Sequence, residues 1–345
     1  MTRRSKTMKR RHSTNQYVEG VKEGSRAWLA KTITLIESNA AKHKDQAQEV
    51  LKELYSSTGA SIRVGITGVP GAGKSTFIEK FGLYLCEQGH KVAVLAIDPS
   101  SSVTGGSILG DKTRMEELSK HPRAFIRPSP SQGTLGGVHR KTRETMLLCE
   151  AGGYDVIIIE TVGVGQSEFL VKDMVDFFFL LTLTGAGDEL QGMKKGIMEL
   201  VQLICINKAD GDNRERARIA KGELETLLHV LAPNDQEWAT KVMTCSALYE
   251  EQVADVWSVI QQYVLHMKSI GRFEQKRSDQ LKQWVRTLIN DQLLASFYQH
   301  PVSKASLAHA EKELTAGNVT VAEALEDLIE QYEANIVLKY KKEGL

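Results

Sequence analysis

Ile62-Arg-Val-Gly-Ile-Thr-Gly68-Val-Pro70-Gly71-Ala72-Gly73-Lys74-Ser75-Thr76 is the stretch on which the reading of the chain turns. An apolar run ending at Thr67 leads into G-x-x-x-x-G-K-[ST], and a helix-like stretch starts near Lys74, which is the strand, loop and helix order that a phosphate-binding loop requires. The glycines let the backbone curl so that successive N–H groups face a phosphate, and the helix N-terminus adds positive potential. Lys74 can then reach β- and γ-phosphate oxygens, and Ser75 can ligate Mg²⁺.

Outward from this loop, β-rich runs alternate with helix-length segments. The runs are Ile62 to Thr67, Val92 to Ile97, Val156 to Ile159, Phe177 to Leu183, Leu203 to Ile206 and Val242 to Thr244. This pattern predicts an α/β, P-loop NTPase fold with a mostly parallel central sheet flanked by helices. Two of the runs end in an acid, Asp98 and Glu160. Both reach the loop if their strands flank the first, and an acid there is otherwise an ordinary cap or turn residue. Glu160-Thr-Val-Gly163 takes the place of D-x-x-G, with Glu160 holding a metal-bound water and the Gly163 N–H available to a γ-phosphate. Val164 follows where a Ras-like site places a water-positioning Gln, and Gln166 lies two residues farther on, which predicts slow hydrolysis without a partner.

A third strand end carries base chemistry. Leu203-Ile-Cys-Ile runs into Asn207-Lys208-Ala209-Asp210, an N-K-x-D pattern. Asp210 can accept two hydrogen bonds from guanine N1–H and the exocyclic amine; adenine lacks the N1 donor and would leave a carboxylate unpaired. Lys208 would lie along the base plane and Asn207 would tie the loops together. Ser246, Ala247 and Leu248, after another strand, supply backbone N–H groups for guanine O6. Four residues recur by chance, but in order after a phosphate loop and at strand ends they are specific.

Composition removes several other classes. The 345 residues are 41% hydrophobic and 25% charged, enough for a sizeable core. Lys+Arg 44 against Asp+Glu 43 leaves a net charge of +1, so no global field favours nucleic acid. The longest apolar runs fall well short of the ~20 residues of a membrane span, and Val175 to Leu183 contains Asp176. The four cysteines are widely spaced, which suits buried thiols in a reducing cytoplasm. The expected organisation is a basic disordered arm over 1–17, a helical extension over 18–60, a GTPase domain over 61–270 and a helical segment over 271–345. The arm could also pass for a transit peptide or a nucleic-acid tail, or reflect a start at Met8.

On these motifs the sequence resembles the MeaB/ArgK family of P-loop GTPases, also known as LAO/AO transport system kinases and related to the methylmalonic aciduria type A protein of animals. The resemblance runs from about Ala27 onward. It is densest in Gly65 to Phe81, Ile97 to Met115, Phe125 to Pro128, Glu160 to Glu168 and Gly185 to Gly196. It implies a homodimeric GTPase using GTP/GDP and Mg²⁺, a chaperone that gates cofactor loading of a cobalamin-dependent acyl-CoA mutase of the methylmalonyl-CoA mutase type and protects it. Carried over motif by motif, it implies Asp98, Asp111 and Glu160 as magnesium carboxylates. Asp188, Gln191 and Lys194 become a mobile switch that answers the partner, with an ordinary loop and helix start as the alternative. It also implies that the C-terminal helices dimerise, although helices packing on their own domain would read the same. Two other functions share the nucleotide site. One is a kinase or ATPase-like protein of amino-acid (LAO/AO) transport, against which stands the lack of an H-R-D loop. The other is a metallochaperone GTPase, against which stands the scatter of the nine His.

Overall fold

The computed structural model describes residues 12–38, 40–97, 115–128, 135–161, 167–185, 195–231 and 237–342. Three helices, α1 (Thr14–Lys22), α2 (Arg26–Glu37) and α3 (Ala41–Leu54), precede β1 (Ile62–Gly68). There follow α4 (Lys74–Glu87), β2 (Val92–Ile97), α5 (Glu116–Lys120), β3 (Ala124–Pro128), α6 (Leu135–Ala151) and β4 (Val156–Thr161). Then come α7 (Ser167–Lys172), β5 (Phe177–Thr182), α8 (Lys195–Met198), β6 (Leu203–Ile206), α9 (Arg214–Leu231), β7 (Lys241–Thr244) and α10 (Val253–Ser269). The chain closes with α11 (Arg272–Gln299), α12 (Pro301–Thr315) and α13 (Val321–Lys342).

The strands pair in parallel as one seven-stranded sheet in the order β3-β2-β4-β1-β5-β6-β7. Successive side chains point to opposite faces. Val64, Ile66, Val94, Ile158, Phe177, Phe179 and Cys205 enter one core, against α4, α5 and α10. Leu95, Ile157, Ile159, Phe178, Leu180 and Ile204 enter the other, against the N-terminal helices and α6 to α9. Burial on both faces is why the interior strands read as continuous apolar runs. Aromatic edges stiffen the first core, with Phe77 5.5 Å from Phe179 and Phe177 5.2 Å from Tyr263, ring centre to ring centre. All four cysteines are buried free thiols.

Three local features differ from the sequence reading. First, β2 does not flank β1, because β4 lies between them. Second, α1 begins inside the segment expected as a disordered arm. Ser13 Oγ accepts from the Gln16 N–H at 3.3 Å while Gln16 Oε1 accepts from the Ser13 N–H at 3.0 Å, a capping box that starts a helix without needing an apolar run. Third, β3 was not foreseen as a strand. It ends in Arg-Pro, which an edge strand tolerates because its outer side needs no ladder donor; its Arg127 pairs with Glu37 of α2.

The N-terminal ends of β1 and β5 are held by buried charge. Glu150 accepts from Ser61 Oγ at 2.5 Å, the Gly59 N–H at 2.9 Å and Arg63 Nε at 2.9 Å. Asp176 accepts from the Arg63 N–H at 2.8 Å and from Arg277 Nε and Nη2 at 2.8 and 2.6 Å. The Asp176 carbonyl takes Lys276 Nζ at 2.6 Å.

Contacts divide the chain into two units, Met1–Gln280 and Leu281–Leu345. Within the second unit, Tyr332 of α13 meets Phe297 of α11 at 5.1 Å between ring centres and shares a 2.7 Å hydrogen bond with Ser296. Leu281, Val285, Ile289 and Leu293 on α11, and Val321, Leu325 and Ile329 on α13, recur every fourth residue and are exposed. Among the described residues no helix is long and apolar enough to cross a membrane.

Candidate functional site

β1 ends in the middle of the sheet, between β4 and β5, so the loop after it opens at the carboxyl edge where open α/β sheets hold ligands. Gly68 makes the exit possible: a Cβ there would lie 2.1 Å from the Leu181 carbonyl oxygen. Gly73, at φ +85°, turns the chain into α4, and a Cβ on it would sit 2.8 Å from Asn207 Nδ2. Lys74 opens the helix and folds back, its Nζ donating to the Gly68 carbonyl at 2.7 Å and the Val69 carbonyl at 3.4 Å. Burial lowers the pKa of this ammonium, opposed by the charges of Glu160 and Glu168. Pro70 and Gly71 at the loop tip and Thr76 in the first helical turn are exposed, while Ala72 is buried.

Glu160 lies in β4, opposite Ile66 of β1, and is 6% exposed. Ser75 Oγ donates to its Oε1 at 3.5 Å, and Thr161 Oγ1 donates to Thr67 Oγ1 at 2.9 Å behind it. A hydroxyl and a carboxylate converging at the head of α4 are the hard oxygen donors Mg²⁺ takes, so these residues fit the ion. Among the described residues no cluster of three or more His, Cys, Asp or Glu is arranged to hold a metal. Asp98 follows directly on Ile97, whose register partner is Thr161. Asp98 itself lies outside the described residues, as do Asp111, Gly163, Val164, Gln166, Asp188, Gln191 and Lys194.

The base-side loops are tied to the phosphate side by one amide. Asn207, 2% exposed, donates from Nδ2 to the Ala72 carbonyl at 2.7 Å, and its Oδ1 accepts from the Ala247 N–H at 3.0 Å. Asp210 Oδ2 accepts from Ser246 Oγ at 2.5 Å, and the Ala209 N–H donates to the Cys245 carbonyl at 3.0 Å. Lys208 takes a left-handed φ of +58°; its Cε lies 4.0 Å from where a Gly73 Cβ would be. Leu248 stands at the rim, 66% exposed. The structure therefore brings together Gly68 to Thr76, Glu160, Asn207, Lys208, Asp210 and Ser246 to Leu248, from four distant stretches of sequence.

Glu168 received no role from the sequence. It is 3% exposed in the first turn of α7 and close enough for its charge to raise the Lys74 pKa. Its position at a helix N-terminus, where acids are ordinary, hid it. Asn213, three residues past Asp210, belongs to no motif, yet it bonds the Lys208 carbonyl and the Thr184 hydroxyl.

With this geometry in view, three similarities place the chain. The GTPase ArgK of Escherichia coli is 49% identical over 277 residues, spanning 80% of this chain and 84% of that protein. The mouse methylmalonic aciduria type A homolog, a mitochondrial protein, is 44% identical over 325 residues, spanning 91% of this chain and 78% of that protein. A crystal structure of an LAO/AO transport system kinase superposes with a TM-score of 0.74 at 36% identity, covering 94% of this chain and 99% of the other. The family model for the methylmalonyl-CoA mutase-associated GTPase MeaB matches residues 29–302, and the chain belongs to that family.

Proposed function

We propose that this chain binds and hydrolyses GTP at the carboxyl edge of the sheet and serves as chaperone to a cobalamin-dependent acyl-CoA mutase of the methylmalonyl-CoA mutase type, gating its cofactor loading and protecting it. The observation that carries the reading is the Asn207 bridge, 2.7 Å to Ala72 on the phosphate loop and 3.0 Å to Ala247 on the base loop. One side chain thereby fixes the distance between a phosphate cradle and a guanine clamp. Asp210, already oriented by Ser246, presents its carboxylate to N1–H and the exocyclic amine. Lys208 lies along the base, and the Leu248 backbone N–H meets O6, since the Ala247 and Ser246 N–H groups already donate to Asn207 and to the Glu251 carbonyl. Lys74 leaves the neutral Gly68 and Val69 carbonyls for β- and γ-phosphate oxygens, a charge-assisted exchange. Ser75 and Glu160, with Asp98 and Asp111, would hold magnesium, which when bound neutralises charge between the β- and γ-phosphates. Gly163 offers its N–H to the γ-phosphate, and Lys194 stabilises charge once the partner has docked.

The family's own description names the mutase, and the mouse relative's name points to methylmalonic aciduria; both support the partner. Hydrolysis without it is slow. The exposed i, i+4 stripes of α11 and α13 support a homodimer through the second unit. Ile289→Glu with Leu293→Glu shifts the sedimenting species to monomer if they are the contact, and an unchanged dimer rejects it. The protein operates in the cytoplasm.

The test is single-turnover hydrolysis of γ-labelled GTP with and without methylmalonyl-CoA mutase. The expected result is label released to water as phosphate, slowly alone and faster with mutase. Label transferred to protein supports the kinase reading that the name of the solved relative carries. An unstimulated rate on the order of 10 s⁻¹, ordinary for enzymes, rejects a site that waits for a partner.

A further inference from the structure

Among the described residues Lys208 is one of three other than glycine with positive φ, at +58°, a conformation that side chains with a Cβ avoid unless their surroundings hold it. The hold is visible. The Lys208 carbonyl accepts from Asn213 Nδ2 at 2.7 Å, and Asn213 Oδ1 accepts from Thr184 Oγ1 at 2.8 Å. The Asn213 N–H donates back to the Asp210 carbonyl at 3.0 Å, closing the turn. An asparagine just ahead of a helix, as Asn213 is ahead of α9, ordinarily uses its side-chain oxygen to cap the helix. Here the two ends of the amide are spent on the base loop and on the residue two places past β5. The consequence is directional: the left-handed turn sends the Lys208 stem back over the phosphate loop, where its Cε lies 4.0 Å from the position a Gly73 Cβ would take.

We propose that Asn213, oriented by Thr184, is a positioning residue for guanine-nucleotide recognition: it fixes the turn from which Lys208 supports the base, without touching the nucleotide. The proposal rests on the guanine-site reading given above. It requires an amide at 213, because the position needs one donor for the Lys208 carbonyl and one acceptor for the Thr184 hydroxyl. A carboxylate supplies only acceptors and turns a hydrogen bond into repulsion.

The test is equilibrium titration of the full-length protein, with magnesium present throughout, using GDP and inorganic pyrophosphate as separate probes. Pyrophosphate reports the phosphate cradle and GDP adds the base. Asn213→Ala is expected to raise the GDP Kd roughly three- to tenfold, the scale of one hydrogen bond, and Asn213→Asp at least as much. Thr184→Val should shift GDP in the same direction by less, and Thr184→Ser, which keeps the hydroxyl, should restore it. Pyrophosphate affinity should stay within about twofold in every variant, and the Thr184→Val, Asn213→Ala double variant should be no weaker than Asn213→Ala alone, as coupled residues require. An unchanged GDP Kd in Asn213→Ala, or parallel loss of GDP and pyrophosphate, overturns the proposal. Should Asn213→Ala lose its cooperative unfolding transition, Thr184→Val against Thr184→Ser decides by the same readout. Wild-type protein that binds pyrophosphate but gains nothing from the guanosine of GDP overturns the guanine-site reading itself, an outcome distinct from a wild type that discriminates normally beside indifferent variants.

Discussion

The two ends of the one sheet use charge in opposite ways. At the amino ends of β1 and β5, Glu150 and Asp176 each gather several donors, drawn from Ser61, Arg63, Arg277 and the backbone, at 2.5 to 3.1 Å. At the carboxyl ends, Lys74 rests on two neutral carbonyls and Ser75 reaches Glu160 only at 3.5 Å. The first arrangement saturates its groups, so nothing is left to offer a ligand and removing one member strands the rest. The second leaves a cation on weak acceptors that a phosphate can replace at little cost. Burial of ionisable groups therefore does not by itself mark a site; the strength of the contacts already made is what separates an anchor from a receptor.

The largest expected effect breaks the anchor. Asp176→Ala leaves the Arg63 N–H without its acceptor and Arg277 with only the neutral Gly59 and Ser61 carbonyls, and should destabilise the fold by about 3–5 kcal/mol, the cost of uncovering a buried charge, read by urea unfolding. GDP affinity of the molecules that remain folded should not change. A loss below about 1 kcal/mol would put Asp176 with exposed, solvent-screened pairs. Next, Lys74→Ala at the receptor end should weaken GTP by at least about 100-fold, near 2.7 kcal/mol, while the thermal transition keeps its midpoint and cooperativity. A lost transition would make Lys74 an anchor too, and the contrast would fail.

A smaller effect sharpens the comparison through pH. Burial pushes the Lys276 ammonium down to about 8, against its ordinary value near 10.5. The unfolded chain therefore holds this proton over a window in which the folded chain has lost it, and stability from this group rises with pH between about 8 and 10.5. Wild type should gain about 2–3 kcal/mol relative to Lys276→Met across that window. Parallel pH curves for the two proteins would mean that Lys276 is better solvated than its contacts imply.

The receptor end was far more legible in the sequence than the anchor. Phosphate loops and N-K-x-D impose residue types at fixed spacings because backbone N–H groups and a base edge have fixed geometry, so Gly68 to Ser75 and Asn207 to Asp210 could be read in place. The interior strands were legible for a related reason, since burial on both faces leaves unbroken apolar runs such as Val156 to Ile159. Arg277 with Asp176 and Arg63 with Glu150 are pairings across 101 and 87 residues, and no local pattern joins them. Strand order was hidden as well. The runs before Asp98 and Glu160 are similar, yet of β2 and β4 only β4 borders β1, a choice of neighbour that the strands' own apolar residues do not encode. Only the first turn of α1 was hidden, because it lies at polar Ser13 and Gln16, where periodicity is silent.

The central claim is a guanine nucleotide site whose selectivity rests on Asp210, and exchanging that residue's chemistry tests it most directly. Wild type and Asp210→Asn are titrated with GDP and with xanthosine diphosphate under the same magnesium and salt. The variant should lose roughly 10- to 100-fold in GDP affinity and gain for xanthosine diphosphate, since an amide can donate to the carbonyl that xanthine carries in place of the guanine amine. Reversal of the preference is the predicted result. An unchanged ratio of the two affinities would contradict it and remove Asp210 from the base.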